Sequence, residues 1–140
     1  MLQDRMHAII KAYIVESQID GNVMQFSYNE RTIYCISDTQ HDRMRIIATI
    51  IELNELTEDI KDKLLISNFH SALDARYAVS DDVLYTAFIH PLSPLTEGEL
   101  ESAIRQVATL ADTFGTTYSS GDLSYGDSSE LDDEPTGAQI

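Results

Sequence analysis

The run Met44-Arg-Ile-Ile-Ala-Thr-Ile-Ile-Glu-Leu53 constrains the fold more than any other stretch of the chain. Its β-branched residues read as a strand. Strict alternation turns Ile46, Ala48 and Ile50 to one face and Ile47, Ile51 and Leu53 to the other. A strand apolar on both faces belongs inside a sheet and needs cover on both sides. The rest of the chain offers helices for about one side, so the second face is left for a second copy or another protein.

The flanking segments supply those helices. From Leu2 to about Ser17, the residues Leu2, Met6, Ile9, Ile10, Tyr13 and Ile14 recur at helical spacing on one face. Asp20-Gly21-Asn22 breaks the pattern with turn residues. Strand-like runs follow at Val23–Tyr28, Thr32–Ser37 and Arg43–Leu53, the first two joined by Asn29-Glu30-Arg31 and the last two by a polar loop, 38–42. Thr57 ahead of Glu58 and Asp59 predicts a helix N-cap, and Ile60, Leu64, Leu65 and Phe69 predict an amphipathic helix ending near Ser71. Two more strands, Ala75–Val79 and Val83–His90, are joined by a tight turn at Ser80-Asp81-Asp82. Thr96-Glu-Gly-Glu99 is a capping box for a last helix that carries Leu100, Ala103, Ile104, Val107, Ala108, Ala111 and Phe114 and stops at Gly115. Short links between successive strands imply antiparallel pairing. The expectation is an α+β fold, an antiparallel five-stranded sheet with elements in the order α-βββ-α-ββ-α and the first and last helices on one face.

Charge and cysteine usage narrow the function classes. The 140 residues carry a net charge of −15, from 24 acids and nine bases, which makes nucleic acid and anionic membrane surfaces poor partners. The segment 119–140 holds six acids and no base, with sparse apolar residues, and reads as a flexible acidic tail following a domain at 1–118. A single cysteine, Cys35, excludes an internal disulfide framework and fits a reducing compartment. The opening MLQDRMHAII sets an acid and a base ahead of its apolar residues, unlike a signal peptide, so a cytoplasmic location is expected.

The element order is similar to that of type III secretion chaperones. The segments Phe69-His-Ser-Ala-Leu-Asp-Ala-Arg-Tyr-Ala78, Val83-Leu-Tyr-Thr-Ala-Phe-Ile-His90 and Pro91-Leu-Ser-Pro-Leu-Thr-Glu-Gly-Glu-Leu100 also resemble the chaperone-like YbjN family. The resemblance covers roughly residues 5 to 118 and leaves the acidic tail outside. It implies a compact α+β domain that pairs through helices or sheet, holds partner polypeptides on an apolar surface and has no agreed enzyme activity.

Residues that could carry chemistry are few. Cys35 lies within a strand, where a buried inert thiol is the ordinary state and a nucleophile would need an oriented histidine. His41 with Asp38 and Asp42 is the one cluster resembling a weak cation site, read here as a solvated loop, and no metal-ligand spacing occurs. His90 is placed to hydrogen-bond at the Pro91 turn. Asp81-Asp82 and Asp132-Asp133-Glu134 read as solvated acids, and no glycine motif cradles a phosphate. No cofactor or metal is expected.

The expectation is therefore a non-enzymatic, chaperone-like module, working as a homodimer, that shields an apolar segment of a client protein. The protein-binding or dimer face comprises Ile47, Ile51, Leu53, Tyr85 and Ile89, with an added strand at a free sheet edge as a further mode. The alternative is a regulatory or assembly subunit that contacts partners through its tail. The tail itself reads either as a solubilising extension or as a cover for the binding face through Leu123, Tyr125 and Leu131.

Overall fold

The computed structural model describes residues 1–121. In chain order the elements are α1 (Gln3–Tyr13), β1 (Ser17–Asp20), β2 (Val23–Tyr28), β3 (Arg31–Asp38), β4 (Arg43–Glu52), a 3₁₀ turn at Leu53–Glu55, α2 (Glu58–His70), β5 (Arg76–Ser80), β6 (Val83–Pro91) and α3 (Glu97–Asp112). The strands form one antiparallel sheet in the order β1-β2-β3-β4-β6-β5.

Two-residue turns set this topology. Asn29-Glu30 joins β2 to β3 with both φ angles positive (51° and 67°), and Asp81-Asp82 joins β5 to β6 in the same way (50° and 65°). Left-handed backbone at both central residues matches the twist of the strands it connects. Gly21-Asn22 makes a third two-residue turn, between β1 and β2, in which only Gly21 has a positive φ (63°).

That third hairpin corrects the expected strand count from five to six. The first helix stops at Tyr13 because Ile14 has already turned extended (φ −109°, ψ 131°), and Ser17–Asp20 then pairs with β2 from Ser17↔Phe26 to Asp20↔Val23. A four-residue edge strand with one large apolar residue, Ile19, carries almost no alternation to read.

All three helices lie on one side of the sheet or at its end. α1 is placed by Met6, whose Sδ lies 3.7 Å from the Cys35 thiol, and by Gln3, whose Oε1 accepts from the Ser37 hydroxyl at 2.6 Å. α3 lies across the middle strands: the Thr86 hydroxyl donates to the Val107 carbonyl at 2.9 Å, and the Tyr77 hydroxyl donates to the Leu110 carbonyl at 3.0 Å. Both donors are buried, so each bond removes a desolvation cost as well as fixing the helix. α3 starts at the expected capping box, with Glu99 N to Thr96 Oγ1 at 3.1 Å and Thr96 N to Glu99 Oε1 at 2.9 Å. The core between these layers includes Ile10, Met24, Ile33, Met44, Ile46, Leu84, Leu100 and Ile104, all fully buried.

α2 does something different. The Asn68 side chain pairs with both backbone groups of Tyr77, accepting from its N–H at 2.8 Å and donating to its carbonyl at 3.1 Å. That is the pairing another strand would make, so α2 closes the β5 edge against further strands.

Candidate protein-binding face

The side of the sheet away from α1 and α3 has no helix over it among the described residues. Cross-strand partners share a face, so the register defines its rows. One row runs Tyr34–Ile47–Ala87–Arg76, the next Ile36–Arg45–Ile89, and a third Thr49–Tyr85–Ala78. Tyr34, Ile36, Ile47 and Tyr85 are half-buried by their neighbours alone, and Ile89 is 59% exposed. The result is a pleated apolar patch across β3, β4 and β6.

Of the five residues expected on this face, Ile47, Tyr85 and Ile89 share it. Ile51 and Leu53 do not. The β4–β6 register shifts between Thr49 and Ile51, so that Ile51 lies opposite the fully buried Leu84 on the core side, and Ile50 packs against the core as well. A bulge inserts one extra residue and reverses the alternation beyond it. Leu53 has left the strand for the 3₁₀ turn, its N–H donating to the Asp82 carbonyl at 2.8 Å.

A second apolar surface lies on α2. Ile60 and Leu64 turn inward, but Leu65, Ile66 and Phe69 are 69%, 60% and 75% exposed. Leu65 and Phe69 were expected on the inward face, and the structure corrects that. The Asn68–Tyr77 pairing fixes the helix rotation and points them to solvent.

The candidate chemical groups are held apart and already engaged. The Cys35 thiol is fully buried, and burial pushes its pKa up to about 12, so it stays a neutral packing group. Asp38 accepts from the His41 backbone N–H at 3.1 Å and lies 2.8 Å from His41 Nδ1. Asp42 instead turns to Ser93, accepting from its N–H at 2.8 Å and its hydroxyl at 2.7 Å. These hydrogen bonds hold both carboxyls below the usual range, and each completes a turn rather than sharing a ligand. Among the described residues no group of three or more His, Cys, Asp or Glu side chains is arranged to hold a metal. His90 Nδ1 lies 2.7 Å from the Pro91 carbonyl, as the turn position suggested, and its ring stacks on Phe88 at 5.6 Å.

A six-stranded antiparallel sheet with helices on one side defines an α+β fold known from protein-binding chaperones. The chain is similar in structure to the ExsC–ExsE complex (13% identity, TM-score 0.61, covering 79% of this chain and 91% of that one). It is also similar to the HopA1–SchA chaperone–effector complex (8%, 0.61, 81% and 89%). A third likeness is to the Yersinia pestis type III secretion chaperone SycH in complex with a stable fragment of YscM2 (13%, 0.58, 81% and 98%). No protein-family model matches the chain, and no curated protein is similar to it in sequence. At these identities the likeness is one of fold.

Sequence reading missed the arginines that the open face carries among its apolar residues. Arg43, Arg45 and Arg76 occupy it by register, and acids lie only at its margins, at Asp20, Asp38 and Glu52. Alternate spacing of Arg43 and Arg45 around the buried Met44 was the available signal. No helix of the described residues is long and apolar enough to cross a membrane.

Proposed function

We propose that the protein is a non-enzymatic, chaperone-like protein-binding module that shields an apolar segment of a client on its open sheet face. The observation that carries this reading is the patch of Tyr34, Ile47, Tyr85 and Ile89 on a sheet face that no helix of the described residues covers. Structural neighbours that hold a protein partner, a chaperone with its effector among them, support it.

Magnitudes favour transient holding. Covering the remaining exposed part of these four side chains is worth about 1 kcal/mol each. That gross gain of roughly 4 kcal/mol does not exceed the cost of associating two proteins. Polar contacts with the client must supply the rest, and the arginines of the face are placed to make charge-assisted ones.

The second apolar surface takes a second copy. Two α2 helices crossing antiparallel near Ser67 would set Phe69 of each against Leu65 of the other, a self-complementary contact of the kind a two-fold dimer needs. Homodimerisation through α2 leaves both sheet faces available to clients.

Suppression of citrate synthase aggregation during heating tests the client role. The wild-type protein should slow aggregation, and Ile47→Asp should lose most of that effect while keeping a cooperative unfolding transition. A folded Ile47→Asp protein with full activity would sink the sheet-face reading.

A further inference from the structure

α2 closes the β5 edge, but one stretch of β6 beyond it stays open. Tyr77 turns its backbone groups to Asn68, so Arg76, Ala78 and Ser80 turn theirs to β6. The two-residue turn agrees, since it makes Ser80↔Val83 a hydrogen-bonded pair. Val83, Tyr85 and Ala87 therefore bond β5, and Ile89, two residues on, points its N–H and C=O the same way. β5 begins only at Arg76, opposite Ala87. The register would bring Asp74 to Ile89, but the Asp74 and Ala75 amides have turned to Gln106 Oε1 at 2.9 and 3.2 Å. Ile89 thus presents a backbone donor and acceptor at a notch in the sheet edge.

The notch opens into a cavity of about 440 Å³ lined by Asp74, Arg76, His90, Glu99, Ser102 and Gln106. His90 sets its chemistry. The Pro91 carbonyl can only accept, so Nδ1, 2.7 Å away, carries the ring proton and the neutral ring leaves Nε2 as an acceptor. Nε2 faces Glu99 Oε2 at 3.7 Å, two acceptors with no donor between them among the described residues. The capping box holds the other carboxylate oxygen, Oε1, on the Thr96 N–H, which leaves Oε2 to the cavity. Gln106 is already saturated, its Nε2 donating to Ser102 Oγ at 3.0 Å and Asp74 Oδ2 at 3.3 Å. Arg76 spends Nη1 on the Leu73 and Ala75 carbonyls. Two carboxylates against one arginine leave the cavity acidic.

Resting on the client-face reading, we propose that this notch receives an extended client segment in which a lysine or arginine precedes an apolar residue. The apolar residue pairs with Ile89, exchanging both backbone bonds and laying its side chain beside Ile89 on the open face. Every pair in this sheet is antiparallel. In that sense the preceding residue lies opposite His90 and turns its side chain to the other side, into the cavity. Its ammonium or guanidinium then supplies the donor that His90 Nε2 and Glu99 Oε2 lack. The backbone pairing sets the register, the cavity selects the charge and the open face takes the apolar side chain. An acid at the same position meets Glu99 and Asp74 and is rejected.

The test titrates two peptides into the full-length protein: a Leu- and Tyr-rich peptide without basic residues, and its counterpart with one central lysine. The lysine peptide should bind about 5- to 10-fold more tightly. It should shift the Gly98 and Glu99 amides and protect the Ile89 amide, which exchanges rapidly in the free protein. Glu99→Gln keeps the capping oxygen but puts an amide donor where Oε2 was, and should erase the lysine advantage while the protein stays folded. Equal affinity of the two peptides, or an advantage that survives Glu99→Gln, overturns the proposal. Ile47→Asp separates the proposal from the reading beneath it. If that variant loses both peptides while lysine brings no advantage to the wild type, the notch fails and the client face stands. If the variant binds both peptides undiminished and the lysine peptide still protects Ile89, the client-face reading fails and the notch stands.

Discussion

Ile46 and Ile47 are chemically identical neighbours on β4 that the register sends to opposite sides. Ile46 is fully buried between Cys35 and Phe88, whereas Ile47 lies between Tyr34 and Ala87 on the open face and is half-buried. Truncating each to alanine therefore measures the face assignment on which the functional reading depends. Ile46→Ala opens a cavity beneath α3 and should cost about 3–4 kcal/mol, the range for a large aliphatic in a well-packed core. Ile47→Ala removes partly solvated methyl groups over no enclosed space and should cost about 1 kcal/mol. For a domain of this size the urea slope is about 2 kcal/mol per molar. The unfolding midpoint should then fall by about 1.5–2 M for Ile46→Ala and about 0.5 M for Ile47→Ala. Equal shifts would mean that something covers the open face. A larger shift for Ile47→Ala would mean that the register is off by one residue and the two faces are exchanged.

Further outcomes follow from single contacts. Gln106→Leu deprives the Asp74 and Ala75 amides of the Oε1 that accepts from them at 2.9 and 3.2 Å, and should cost about 2–4 kcal/mol in denaturant unfolding. Asn68→Ala should expose the Tyr77 amide to rapid hydrogen exchange while the rest of β5 and β6 stays protected; unchanged Tyr77 protection would contradict the edge-capping role. His7 is buried, its Nε2 has no partner among the described residues, and desolvation, opposed by Asp4 and assisted by Lys11, holds its pKa below 6.5. Stability should be unaffected by His7 above pH 6.5 and decline as the pH falls below it, where the unfolded chain binds a proton that the folded state resists; His7→Met should flatten that decline in thermal melts. Phe69→Asp should convert a dimer to a monomer in light scattering without loss of helix content.

What could be read in the sequence is what local chemistry determines. The capping box at Thr96 and Glu99 and the Thr57 cap each require particular residues at fixed offsets, and each formed; the turns read at 29–31 and 80–82 formed as well, each one residue shorter, at Asn29-Glu30 and Asp81-Asp82. The apolar run of β4 implied an interior strand, and β4 lies between β3 and β6 in the sheet, although Ile51 and Leu53 do not lie on the second face the run suggested. What could not be read depends on partners distant in the chain. Nothing in Met44–Leu53 announces that Ile50 is the extra residue of a bulge, because that is set by the mismatch between β4 and β6. The outward turn of Leu65 and Phe69 follows from Asn68 pairing with Tyr77 nine residues on. The arginine-bearing character of the open face emerges only when β4 and β5, separated by a whole helix, are brought to the two sides of β6.

The most direct test of the client face is a map of amide chemical-shift changes as the Leu- and Tyr-rich peptide is titrated into the full-length protein. The largest changes should fall on Tyr34, Ile47, Tyr85 and Ile89, with α1 and α3 nearly silent. Changes confined to α1 and α3, with the open face unmoved by saturating peptide, would contradict it.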